Sequence, residues 1–133
     1  MKFSIAFTVC PLLFAVAHAA IPVGIDRAFS DFTALPVELL PVLEGVTDRD
    51  SAEKATEKLN NLLPKVYDAR TAMQRISTLP ADVKAEVIKK YGKDMQTNWG
   101  KVYEQIFRLQ QVRCYNSLSF FKQFHALCMM LDK

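Results

Sequence analysis

In residues 80–113, PADVKAEVIKKYGKDMQTNWGKVYEQIFRLQQVR, the apolar side chains of Ile88, Tyr91, Met95, Trp99, Val102, Ile106 and Leu109 recur every three or four positions. That spacing gathers them into one narrow stripe on a helix of about 3.6 residues per turn. At about 1.5 Å per residue the helix is roughly 45–50 Å long, more than a domain of this size usually needs. A stripe of that length has to be covered, and the rest of the chain is read as what covers it.

Immediately upstream, Ala52, Ala55, Leu59, Leu62, Leu63, Val66, Met73 and Ile76 form a second stripe, ending before Pro80. The run Thr47-Asp48-Arg49-Asp50-Ser51 is a helix start, with Asp50 as the expected cap and Glu53 returning the bond three residues later. Pro64 lies inside this helix and is expected to bend it near Asn60 and Asn61. The short link Ser77–Asp82 predicts that the two long helices run antiparallel as packed neighbours. The T-D-R-D-S-A-E-K-A run of residues 47–55 resembles the helix starts of secreted bacterial helical proteins of unassigned role. That resemblance implies a helical fold and export, and carries no activity.

Further upstream, Phe29, Phe32, Leu35, Leu39, Leu43 and Val46 keep a helical period that Pro36 and Pro41 interrupt. Each proline removes a backbone donor and disfavours helical geometry at the residue before it. The expectation is a proline-broken pair of helices near 26–34 and 36–45, or one kinked rod, stopping at Gly45. Downstream the pattern breaks around Cys114-Tyr115-Asn116-Ser117. Asn116 or Ser117 can then cap a last, short helix to about Leu131, with a wide apolar arc of Leu118, Phe120, Phe121, Phe124, Leu127, Cys128 and Leu131. Gly92, at the edge of the axial stripe, suggests close approach by another backbone; Gly100, off it, hardly does.

At the N-terminus, Lys2 precedes an apolar run from Phe3 to Val16, followed by Ala17-His18-Ala19. Residues 1–19 are therefore read as a cleaved secretory signal, and 20–133 as one all-helical domain. The run is shorter than the roughly 20 apolar residues of a spanning helix, and Pro11 interrupts it. Losing Lys2 lowers the formal charge of +3 by one, a near balance that gives no electrostatic reason to expect nucleic acid. Cleavage also leaves only Cys114 and Cys128. Two cysteines make no disulfide framework, and on one continuous helix their Cα atoms would be about 21 Å apart, beyond the roughly 7 Å a bridge spans. Free buried thiols are expected first, an intermolecular bridge second.

No catalytic constellation emerges. His125 is the only histidine after cleavage, three residues before Cys128 and close to Met129 and Met130. The pair is a weak candidate for a soft metal ion or for a nucleophile and base, with no third group to complete either. Glu53, Glu57, Glu86, Asp94 and Glu104 are spread along polar faces, and Lys84, Lys89, Lys90 and Lys93 form a basic patch that reads as solvated. No cofactor is implied. Trp99, Tyr103 and Phe107, each one turn apart, together with Phe120, Phe121 and Phe124, are the candidate surface for a partner or an apolar ligand.

The sequence thus predicts an all-α bundle of two long antiparallel helices, a proline-broken N-terminal helix and a short C-terminal helix. The expected role is that of a secreted or periplasmic interaction module, non-enzymatic, with a protein partner or self-association. A carrier of a small apolar ligand and a last helix that touches a membrane are the alternatives.

Overall fold

The computed structural model describes residues 20–76 and 78–132, so the secretory signal expected at residues 1–19 lies outside it. Four helices follow in order: α1 (Val23–Glu44), α2 (Arg49–Gln74), α3 (Ala81–Gln111) and α4 (Leu118–Asp132), with no strand among the described residues. The protein is a small helical bundle, as its periodicity requires.

The N-terminal segment takes the form of a single rod. Helix α1 runs unbroken through Pro36 and Pro41. Proline at position 36 withholds the N–H that would bond the carbonyl four residues earlier, at Phe32. Trp99 fills that vacancy: its indole Nε1–H donates to the Phe32 carbonyl at 2.9 Å, and its ring stacks on the Phe32 ring with centroids 4.7 Å apart. The helix continues because a side chain from α3 supplies the missing donor.

The cap of α2 lies two residues earlier than the sequence suggested. The Asp48 carboxylate accepts from the Ser51 N–H at 2.7 Å, and the Ser51 hydroxyl accepts from the Asp48 N–H at 3.0 Å, a reciprocal capping box. The Ser51 backbone N–H, and then the adjacent Ser51 side chain, hold the Asp48 carboxyl below its ordinary value. Asp50 falls inside the first turn, and Glu53 instead accepts a hydrogen bond from the Ser119 hydroxyl of α4.

Helix α1 packs closely on both α2 and α3, and α2 packs on α4. The long helices α2 and α3 are antiparallel in direction but are not close-packed neighbours, which corrects the expectation drawn from their short link. Paired groups set the directions. Asp26 meets Lys90 and Tyr91, Phe32 meets Trp99, and the Leu43 carbonyl meets Arg108, so α1 and α3 run parallel. Glu38 meets Lys65 across the antiparallel α1/α2 hairpin. Around the bundle the order is α1, α2, α4, α3, and the link after α2 crosses the diagonal. Six residues, Arg75 to Pro80, reach about 20 Å when extended, more than the roughly 11–14 Å diagonal of helices packed 8–10 Å apart. Ile76 and Leu79 are half-buried on the way, over a hollow shared with Phe29, Met73 and Val87.

The core is formed by Leu35, Leu39 and Leu43 of α1, Leu59, Leu63 and Val66 of α2, Trp99, Val102, Ile106 and Leu109 of α3, and Phe120, Phe124 and Leu127 of α4. In the first turns of α3 the buried positions are Val83 and Val87, and Ile88 is 58% exposed. The stripe shifts by one residue there because the short α4 ends alongside the later part of α3, leaving α1 and the diagonal link to cover its start.

Neither glycine of α3 is approached by another backbone. A methyl group at Gly92 would touch only Ile88 of its own helix, at 3.4 Å, and one at Gly100 would meet nothing within 4 Å. Gly100→Ala is therefore expected to stabilise the protein by about 0.5–1 kcal/mol through reduced backbone freedom in the unfolded chain. A higher midpoint in urea with an unchanged slope is the expected reading.

The N-terminus of α1 is held to α3 by the Asp26 carboxylate, which accepts from the Tyr91 hydroxyl and from Lys90 Nζ, the latter at 2.9 Å. The Tyr91 hydroxyl, and then Lys90, hold the Asp26 carboxyl below 3.8. A carboxyl lowered on folding adds stability that is full above its unfolded value and lost as pH falls through its folded one. Asp26→Asn should therefore flatten part of the loss of thermal stability below about pH 4 and lower the midpoint slightly at neutral pH. Identical acid profiles for the two proteins would show that the Asp26 interactions contribute nothing.

Candidate functional site

The six aromatic residues singled out in the sequence divide into two groups. Trp99, Phe120 and Phe124 are buried in the core, and the Trp99 donor is already occupied by Phe32. Tyr103, Phe107 and Phe121 face outward, at 50, 62 and 46% exposure. Tyr103 and Phe107 project from α3 on the side of α4. Between the two helices lies a groove of about 310 Å³, with Ile106 at its floor and Cys128 and Leu131 on its far wall. Phe121 lies two turns before Cys128 on the same side of α4, stacked on His125 with centroids 5.8 Å apart. Leu118, largely exposed at the start of α4, widens this outer surface.

The groove exists because of how α3 is joined to α4. Arg113, Cys114, Tyr115 and Asn116 all have φ between 51° and 60°, so four successive residues other than glycine wind one left-handed turn. Each such residue costs about 1–2 kcal/mol. Burial and hydrogen bonding offset that cost. The Cys114 side chain and Ser117 are buried, the Tyr115 hydroxyl accepts from Arg108 at 3.3 Å, and the Ser117 hydroxyl accepts from the Phe120 N–H at 3.3 Å as the cap of α4. Arg108 also donates to the Leu43 carbonyl at 2.9 Å, placing a cation at the negative end of α1. The reversal seats α4 firmly on α2, and α3 and α4 stand apart with the groove between them.

The chemistry of this face is modest. Burial pushes the Cys114 thiol up to about 11, with the nearby Cys128 as the second cause. Burial, and then Asp132, also raise the Cys128 thiol. Both cysteines are free thiols, and both stay protonated at neutral pH, the opposite of an activated nucleophile. Among the described residues no three His, Cys, Asp or Glu side chains gather closely enough to hold a metal ion. His125 is exposed against Phe121, without a carboxylate to orient it. In the basic patch Lys90 is paired with Asp26, and Lys84 borders the hollow under the diagonal link. No helix among the described residues is long and apolar enough to cross a membrane.

A second depression, also of about 310 Å³, lies on the other side of α4, between it and α2. Tyr67, Ala126, Met129 and Met130 make it apolar, and Arg70, Thr71 and Gln74 are its polar members. Arg70 is half-buried, and its Nε is sealed from solvent without a hydrogen-bond partner. Sequence reading passed over this cleft. An arginine between Ala69 and Thr71 looks like part of a solvated helix face, and its one sequence signal is that its neighbours Val66 and Ala69 are core positions.

Comparison with protein-family models, with curated proteins and with solved structures finds no match for the chain, so the site is read from its own geometry.

Proposed function

We propose that the protein is an exported, non-enzymatic interaction module that docks a second helical surface against the outer face of α3 and α4. The observation that carries this reading is the placement of Tyr103 and Phe107, large and at least half exposed, on an apolar groove between two helices that do not close on each other, with the exposed Phe121 two turns before Cys128 on α4. Aromatic anchors flanking a groove are what an amphipathic helix uses when it binds by its apolar face. Export is supported by the leader-like composition of residues 1–19, and a non-enzymatic role by two thiols held protonated and a histidine without an orienting partner.

Light scattering during size-exclusion chromatography tests the simplest form, self-association. The mass is expected to rise with concentration in the native protein and to stay monomeric when Phe107→Asp and Phe121→Asp are combined. Monomer at every concentration would remove self-association. The reading as a whole fails if, in addition, the double variant captures the same proteins from the secreted fraction as the native chain.

A further inference from the structure

The turn between α3 and α4 holds its backbone under strain that the sequence does not demand. Arg113, Cys114, Tyr115 and Asn116 all have φ of 51–60°, a region that a residue with a Cβ enters only at a cost. Residues 112–117 contain neither glycine nor proline, so each could instead continue an ordinary helix. The buried positions on either side also share one helical phase. Ile106 and Leu109 of α3, then Arg113 and Asn116 of the turn, then Phe120, Phe124 and Leu127 of α4 recur every three or four residues. A helix running straight from α3 into α4 would therefore carry one continuous seam.

We propose that two copies of the chain exchange α4: residues 112–117 straighten into helix, and each α4 seats Phe120, Phe124 and Leu127 in the core of the other copy. Helix α4 packs on α2 and on the turn, and not closely on α3. Every contact it makes with α2, including the Ser119 hydroxyl on Glu53, is thus offered equally by the α2 of a second copy. The directions also close. Glu53 meets Ser119 near the starts of α2 and α4, and Tyr67 lies by Met130 near their ends, so α4 runs with α2 and against α3. A straight helix then carries α4 beyond the end of its own bundle, and a two-fold axis through the hinge returns the other copy's α4 along α2 in the original direction. In that arrangement one face of the long helix points into both cores, as the shared phase requires. Exchange gives up the Tyr115 hydroxyl on Arg108 and the Ser117 cap of α4. It restores helical hydrogen bonds to the hinge and releases the strain of both turns; short strained hinges favour such exchange. The inference does not rest on docking at the α3/α4 groove. Docking equilibrates as concentration changes, whereas exchange requires α4 to leave α2 and gives a product that resists dilution.

The test is to unfold the mature chain in urea at high concentration, refold it and separate the species by size-exclusion chromatography with light scattering. A dimer is expected that persists on dilution to a concentration at which protein never unfolded is monomeric. When it is refolded from equal parts of isotope-labelled and unlabelled chains, filtered nuclear magnetic resonance should place the Met130 methyl group of one chain against the Tyr67 ring of the other. Arg113→Gly combined with Asn116→Gly, both at exposed positions, relieves the turn and weakens the straight helix. The ratio of dimer to monomer should then fall at least about tenfold. Arg113→Ala combined with Asn116→Ala should raise it, because alanine is strained in the turn and favoured in the helix. Circular dichroism confirms that each variant is folded. No lasting dimer from the native chain, contacts between chains at Tyr103 and Phe107 instead of at Tyr67, or equal yields from the glycine and alanine variants would each overturn the proposal.

Discussion

Phe120→Ala is expected to destabilise the protein by about 3–5 kcal/mol, the range for removing a buried phenylalanine. That is a large share of the 5–15 kcal/mol typical of a small domain. Phe120 has no exposed surface, stacks on Phe124 at 6.0 Å and occupies the first turn of α4 directly after the left-handed turn. Its burial is among the interactions that offset the strain of residues 113–116, so its loss should be felt unevenly. Amide exchange in 118–132 is expected to accelerate well beyond that in α1, with urea unfolding giving the total. A cost below about 1 kcal/mol would mean that the turn is held by something other than the packing of Phe120.

Trp99→Ala is expected to cost a similar 3–5 kcal/mol, and Trp99→Phe about 1–3 kcal/mol. The smaller change keeps most of the ring contact with Phe32 and removes the indole donor, stranding the Phe32 carbonyl that Pro36 cannot reach. A double-mutant cycle isolates this. In a Pro36→Ala background residue 36 regains its N–H, the Phe32 carbonyl regains an intrahelical donor, and Trp99→Phe should then cost less than in the native chain. Additive effects would show that the indole hydrogen bond and the proline are energetically unrelated.

That coupling also explains what could be read in the sequence and what could not. The helical class, the span of α3 and the short last helix follow from periodicity, because burying a stripe on a helix leaves a local record in residue spacing. The continuity of α1 through Pro36 is not local, since it depends on a tryptophan 63 positions later. The cap of α2 was ambiguous because Asp48 and Asp50 both stand three residues before a side chain able to return the bond, and Ser51 reaches the backbone more compactly than Glu53. Loop length misplaced α2 and α3 as neighbours because a six-residue link reaches a diagonal partner as easily as an adjacent one.

The candidate sites divide in the same way. Large aromatics at helical spacing marked the right helices, but spacing alone could not separate Trp99, Phe120 and Phe124, which build the core, from Tyr103, Phe107 and Phe121, which leave it. That distinction is set by where α4 lands, which in turn depends on a backbone reversal that Cys114, Tyr115 and Asn116 do not announce. Arg70 was invisible for a related reason: what matters is the absence of a neighbour, and a sequence records only residues that are present.

The parallel pairing of α1 with α3 and of α2 with α4 bears on how the polypeptide acquires its shape. Asp26 waits for Tyr91, Phe32 for Trp99, Leu43 for Arg108 and Glu53 for Ser119, separations of 65, 67, 65 and 66 positions. Closing such long loops comes before any reward from the contacts, so assembly should be slow for an all-helical chain of this length. During synthesis the first half is complete while the surface that shields Phe32 is still unmade, and a nascent chain halted near position 76 should be prone to aggregation.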